Sequence, residues 1–186
     1  MKKNLLSFFL GVMAIAMVSC NKSVKPQPAE QQPVETEATA PTVSAAPDFT
    51  LNDINGKPLT LSSLKGKPVI LDFWGSWCGW CVKGVPKMKE YYEKYKGKFE
   101  ILGIDCNEDE TTWKQAVAKL ELPWLHVYCP QESTLLSDYG IQGFPTKIVV
   151  DADGNIMKIV IGEDSEFYTY LDEQFSHWCH AGPDAP

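Results

Sequence analysis

The chain has 186 residues, 44% of them hydrophobic, with a formal net charge of −7 at neutral pH. That length and apolar content suit one folded domain with appendages, and the acidic balance leaves no basic footprint for nucleic acid. Six cysteines, two of them three apart at Cys78 and Cys81, make thiol chemistry the first class to consider.

Residues 1–19 read as an export signal rather than as part of a fold. Lys2 and Lys3 give a charged start, and Leu5 to Val18 is an apolar run too short to span a bilayer comfortably. The run ends Val18-Ser19-Cys20, which resembles a bacterial lipoprotein signal, cleaved before Cys20 and lipidated on its thiol. Met17 departs from that pattern, where Leu is usual, and an ordinary secretory signal with an incidental cysteine is the alternative. Either way the chain leaves the cytosol, where stable disulfides are permitted. The lipoprotein reading puts the protein in the periplasm, anchored to a membrane through Cys20. Residues 20–46 are the lipidated cysteine followed by a stretch rich in Pro, Gln, Glu, Thr and Ala. Such a stretch buries too little to offset its ordering entropy, so a disordered tether giving reach is expected. The folded domain is expected over 47–180, with a loose tail at 181–186.

Within the domain, Asp48 to Leu51 and Pro58 to Leu61 alternate like short strands, joined through Asn55-Gly56, a hairpin signal. Pro68 to Trp74 is apolar except for Asp72, as for a strand covered on both faces. A helix is expected from Cys78 to about Lys96, with Val85, Met88, Tyr92 and Tyr95 on one face and Pro86 as an internal kink. Phe99 to Asp105 reads as a strand, Asp109 to Leu120 as a helix burying Trp113, Ala116, Val117 and Leu120, and Trp124 to Tyr128 as a strand. A right-handed crossover makes those two strands parallel. Ser133 to Tyr139 reads as a short helix. Pro145 to Val150 and Ile156 to Ile161 read as an antiparallel pair about the turn at Asp151 to Asn155. Asp164 or Ser165 caps a last helix with Phe167, Tyr170, Leu171, Phe175 and Trp178 on its buried stripe.

Two cysteines at the start of a helix, just after a buried strand, form a dithiol able to close a small disulfide ring. The helix N-terminus presents free N–H groups and a positive dipole end, which favours the first sulfur as thiolate. Val82 rather than His follows Cys81, and no second C-x-x-C supplies zinc ligands, so no haem, metal or other cofactor is expected.

The run Asp72-Phe73-Trp74 to Trp77-Cys78-Gly79-Trp80-Cys81, the helix interrupted at Pro86, and Gly143-Phe144-Pro145-Thr146 before a hairpin resemble thioredoxin. The front hairpin and the inserted helix and strand at 109–128 are similar to the extracytoplasmic TlpA/ResA-type branch. The resemblance implies an α/β thioredoxin fold with an N-terminal β-hairpin and an inserted helix–strand, its central mixed sheet flanked by helices. It implies that Cys78 is the attacking thiol, the more exposed of the two, and Cys81 the resolving thiol. It also implies that Asp72 is the buried carboxylate beneath them and Pro145 a cis-proline facing them. Buried among apolar residues, Asp72 would carry a raised pKa and exchange a proton with Cys81. Phe144 would offer its backbone to an extended substrate. Trp77, Gly79 and Trp80 flank the thiols, with Trp80 the stronger contact candidate; relatives often have Pro between the cysteines, and many of the TlpA/ResA type have Asn at Asp72.

Cys106 and Cys129 each follow one of the two parallel strands, at the same sheet edge. That places them within disulfide reach, and a structural Cys106–Cys129 bond is expected. Cys179 has no assigned role.

The expected function is an extracytoplasmic thiol–disulfide oxidoreductase that reduces disulfides of protein substrates and draws electrons from a thiol–disulfide donor. A peroxiredoxin-type thiol peroxidase is the first alternative. It needs Thr or Ser where Gly75 stands and Pro where Leu71 stands. A non-catalytic, lipid-anchored binding or chaperone module is the second.

Overall fold

The computed structural model describes residues 44–176. The signal, Cys20, most of the tether, Trp178, Cys179 and the tail lie outside the described residues. The fold is built around strand β3, Val69–Trp74, whose six residues are all buried. An apolar run of that length is stable only with both faces covered. Strand β4 (Glu100–Cys106) lies parallel beside it, and strand β6 (Thr146–Val150) lies antiparallel on its other side. Beyond these come β5 (Leu125–Cys129), β1 (Thr50–Asp53), β2 (Pro58–Thr60) and β7 (Ile156–Ile161), in the sheet order β2-β1-β5-β4-β3-β6-β7.

Alternation along β3 sends its side chains to opposite faces. Ile70 joins the core under helices α1 (Gly79–Lys94) and α4 (Ser165–Phe175), with Met88, Tyr91, Phe167 and Leu171. Leu71 and Phe73 face the other way, onto Leu61, Val127, Leu135 and Ile148. Helix α2 (Glu110–Lys119) bridges β4 and β5, and its Trp113 is fully buried and stacked on Tyr128, ring centroids 5.6 Å apart. The short helix α3 (Leu135–Asp138) buries Leu135. Asp109 and Asp164 cap α2 and α4, their carboxylates accepting N–H groups of the first turn.

The expected elements are all present, with ends moved by a few residues. Pro86 sits inside α1 without ending it. Strands β4 and β5 each run one residue further than expected and bring Cys106 and Cys129 into register as direct partners. At the start of the fold, Ala45 bridges Asn155, Ala46 N donates to the Gly154 carbonyl and Ile156 N to that of Ser44. Residues 44–46 are thus hydrogen-bonded to the turn between β6 and β7.

Candidate active site

Strand β3 delivers its last residue, Trp74, to a turn that opens α1. Cys78 is the N-cap of that helix, and its N–H donates to the Gly75 carbonyl at 3.1 Å. Cys78 and Cys81 are joined as a disulfide with Cα atoms 5.2 Å apart. The Cys81 N–H points at the Cys78 sulfur, 3.1 Å away. When the bond opens, that donor and the helix dipole stabilise negative charge on Cys78 rather than on Cys81. The two residues do not differ in exposure as expected: Cys78 is 6% and Cys81 7% exposed, because the closed disulfide packs into a cluster with Trp74, Trp113 and Ala116. Electrostatics, not access, separates the two sulfurs in this oxidised state.

The turn is held from the end of β4. The Trp77 indole N–H donates to the Cys106 carbonyl at 2.9 Å, and both N–H and hydroxyl of Ser76 bind the Glu108 carboxylate. A β-carbon on Gly75 would lie 2.3 Å from Trp77 Nε1 and 2.9 Å from the Cys106 carbonyl oxygen. The position a peroxidase fills with Thr or Ser therefore has no room for a side chain.

The Phe144–Pro145 bond is cis, and Phe144 packs against the disulfide cluster. Trp77 meets the Phe144 ring edge-on, centroids 5.2 Å apart. The loop is fixed by Thr146 Oγ1 donating to the Gly143 carbonyl and by Gly162 N donating to that of Pro145, each at 2.7 Å. Trp77 and Trp80 are 51% and 61% exposed, so both present apolar surface beside the dithiol. Gly79, between the cysteines, is open to the outside, with nothing near the place of a side chain.

Asp72 lies on the α1 face of β3, on the strand that carries the site. It is almost wholly buried, and its Oδ1 has no hydrogen-bond partner. Burial pushes its pKa up, the Lys147 ammonium opposes that, and the Glu163 carboxylate reinforces it. Lys147 is paired in register with Asp72 across β3 and β6. Neither Lys147 nor Glu163 emerges from the sequence reading. The available signal was a lysine inside the otherwise apolar strand Ile148-Val149-Val150, whose partner could only be found in three dimensions.

A second acid stands at the same sheet edge. Asp105 is fully buried, and burial, with Glu108 beside it, raises its pKa to about 9. The expected Cys106–Cys129 disulfide is not formed: both are free, buried thiols. Register brings their backbones side by side and projects both side chains to one face, where the two thiols interact with each other as a reduced pair, an interaction that raises the Cys106 pKa and lowers that of Cys129. Each sulfur also lies against a backbone carbonyl, Cys106 that of Ile104 and Cys129 that of Pro130.

Comparison with known proteins agrees with this geometry. The Redoxin family profile matches residues 41–172. The chain belongs to the Redoxin family. Among curated relatives, the thiol-disulfide oxidoreductase ResA of Bacillus cereus is 38% identical over 122 residues, 65% of this chain and 70% of the relative. ResA of Bacillus subtilis is 33% identical over 124 residues, 66% of this chain and 69% of the relative. The thioredoxin domain of a thiol-disulfide oxidoreductase from Bacteroides vulgatus superposes with a TM-score of 0.66 at 31% identity, over 74% of this chain and all but 1% of its own. A thiol:disulfide interchange protein DsbE from Chlorobium tepidum gives 0.66 at 28% identity, over 73% of this chain and 95% of that one. This Redoxin is a ResA-like member of the thioredoxin superfamily and a thiol–disulfide oxidoreductase.

Proposed function

We propose that this Redoxin reduces disulfides of protein substrates outside the cytosol, held at a membrane by a lipid on Cys20. The observation that carries the reading is the disulfide at the N-terminus of α1, packed against the cis-Phe144–Pro145 loop and backed by a buried acid without a partner. In the reduced protein the Cys78 thiolate attacks one sulfur of a substrate disulfide. A Cys78–substrate disulfide forms, and the other substrate sulfur leaves as thiolate. Cys81 then gives its proton to the Asp72 carboxylate and attacks the Cys78 sulfur. The Cys78–Cys81 disulfide forms, and the second substrate sulfur departs. The substrate disulfide gains two electrons and the protein dithiol loses two. A thiol–disulfide donor must then return two electrons to the oxidised protein.

The substrate is an extended segment laid along the Phe144 backbone, with apolar residues against Trp77 and Trp80. The lipid anchor rests on the sequence Val18-Ser19-Cys20 after the apolar run.

Insulin reduction with dithiothreitol as donor tests the chemistry. Cys78→Ser abolishes turnover, and Cys81→Ser accumulates a mixed disulfide on Cys78. Turnover retained in Cys78→Ser contradicts the scheme. The direction is read from the reduction potential in glutathione buffers. A value at or below about −230 mV fits a reductant, and one above about −180 mV makes the protein an oxidant or isomerase. Loss of fatty-acid labelling in Cys20→Ala tests the anchor.

A further inference from the structure

On the side of the sheet that carries Asp72 the fold buries a cation that the exchange steps do not use. Lys147 is 2% exposed, and its ammonium lies over the Phe167 ring, 5.6 Å from the centroid. An ammonium so far from water needs a counter-charge. Glu163 supplies it, with Oε2 2.8 Å from Lys147 Nζ. The other oxygen of Glu163 accepts the Tyr168 hydroxyl at 2.5 Å. The carboxyl reaches this place through a notch in α1. A β-carbon on Gly84, three residues after Cys81, would lie 2.3 Å from Glu163 Oε2. Asp72 shares the same side of the sheet, since residues in register across neighbouring strands project together and Asp72 pairs with Lys147. Lys147 thus has two carboxyl groups near it and hydrogen-bonds Glu163, while Asp72 Oδ1 is left without a donor.

We propose that the Lys147–Glu163 pair is a positioning device that sets the pH at which Asp72 exchanges a proton with Cys81. The inference rests on the reading of Asp72 as the acceptor of the Cys81 proton. Lys147 favours the carboxylate form of Asp72. Glu163 opposes it, and by holding the ammonium it keeps Lys147 from pairing with Asp72 outright. The balance leaves Asp72 able both to take a proton and to release it. In the oxidised protein the other titratable groups around Asp72 carry no charge at neutral pH. They are Tyr168 of α4, with Tyr91 of α1 against it, Cys106 of β4, and the thiols of α1, bonded in this state. Lys147 and Glu163 are therefore the charges that act on Asp72.

Breaking the pair from its two ends gives opposite signs. Glu163→Gln leaves Lys147 free to stabilise the Asp72 carboxylate, and the Asp72 midpoint falls. Lys147→Met removes the cation and leaves Glu163, and the midpoint rises. Each shift is about one pH unit or more for charges at this range. The measurement is a carbon-13 carboxyl titration of Asp72 by NMR in the oxidised protein, assigned with Asp72→Asn, beside the pH–rate profile of insulin reduction. Damage to the fold alone moves both variants the same way, so opposite shifts are the expected result. Midpoints that stay put, or move together, overturn the inference. The double variant Lys147→Met/Glu163→Gln removes both charges of the pair, leaving neither uncompensated, and covers the case where a single variant fails to fold. Its midpoint is expected above wild type, because the charge removed from directly across the strand pair is the Lys147 cation; an unchanged or lower value overturns the inference. A pH–rate profile of wild-type shape in Asp72→Asn overturns the reading of Asp72 itself, and the inference with it. An altered Asp72→Asn profile with unmoved midpoints overturns the inference alone.

Discussion

Trp77 hangs the active-site turn on the end of β4: its indole N–H donates to the Cys106 carbonyl at 2.9 Å. The same ring stands edge-on to Phe144, so one side chain ties together the turn, the sheet edge and the cis-proline loop. Trp80 is different. It sits in the first turn of α1, 61% exposed, with the Lys83 ammonium 4.7 Å above its ring. Both tryptophans border the dithiol, but they do separate jobs.

Alanine substitution separates those jobs. Trp77→Ala strands the Cys106 carbonyl and removes the Phe144 contact, and it costs roughly 1–3 kcal/mol of stability. Trp80→Ala stays within about 0.5 kcal/mol of wild type. In insulin reduction it raises KM while kcat holds, as expected for lost docking surface. Urea unfolding and steady-state kinetics on the two variants check this. Equal stability losses, or an unchanged KM in Trp80→Ala, contradict the division.

Glycine substitutions in α1 test the notch. Alanine for glycine inside a helix ordinarily gains up to about 1 kcal/mol. At Gly84 the added β-carbon would collide with the Glu163 carboxyl and drive it off Lys147. Breaking a buried pair costs about 3–5 kcal/mol, so Gly84→Ala is expected to lose roughly 2–4 kcal/mol net. Gly79→Ala, with nothing within 4 Å of its added carbon, keeps the wild-type urea midpoint or raises it. A Gly84→Ala protein as stable as wild type means that Glu163 can retreat without loss.

Much of this architecture is legible in the chain. Val69 to Trp74 is too uniformly apolar to be anything but a central strand, Asn55-Gly56 marks the hairpin, and Phe144-Pro145 before a strand matches the cis loop found. What was not legible is contact between distant residues. Nothing near Gly84 in sequence announces that Glu163 fills its missing side chain. Lys147 reads as one charge in a strand until Glu163 and Asp72 are placed around it. The Cys106–Cys129 expectation failed for a related reason. Strand register brings the two thiols together, but it does not fix whether they are joined or stay a reduced pair.

The state of those two thiols is directly measurable. Cys106 is 0% and Cys129 3% exposed. In native, oxidised protein neither is expected to react with iodoacetamide over the time that labels an exposed thiol. In urea without reductant both are alkylated, while Cys78 and Cys81 stay protected by their disulfide. Peptide mapping by mass spectrometry reads all four sites. A Cys106–Cys129 cross-link in that map, or rapid labelling of either residue in native protein, contradicts the arrangement.

Asp105 makes stability depend on pH in a direction opposite to that of a paired carboxylate. Its pKa rises from an ordinary 3.8 to about 9, chiefly through burial and then through the neighbouring Glu108. Between those values the folded chain keeps a proton that the unfolded chain has released. The associated stability is complete below about pH 4 and is lost as pH rises toward 9. A one-proton difference is worth about 1.4 kcal/mol per pH unit. His126 acts the other way but in another window. Burial lowers its pKa from 6.5 to about 4, so its penalty appears as pH falls through that range and leaves the alkaline side untouched. Asp72, raised by burial as well, contributes in the same sense as Asp105. Urea midpoints of the wild type are therefore expected to fall from pH 7 to pH 9. Asp105→Asn keeps a neutral donor beside Glu108 and has no proton to lose. Its midpoint should fall less steeply over that interval, and the two curves should converge toward acid. Parallel curves would mean that Asp105 is ionised in the folded protein, with its charge met by a cation that this arrangement does not place there.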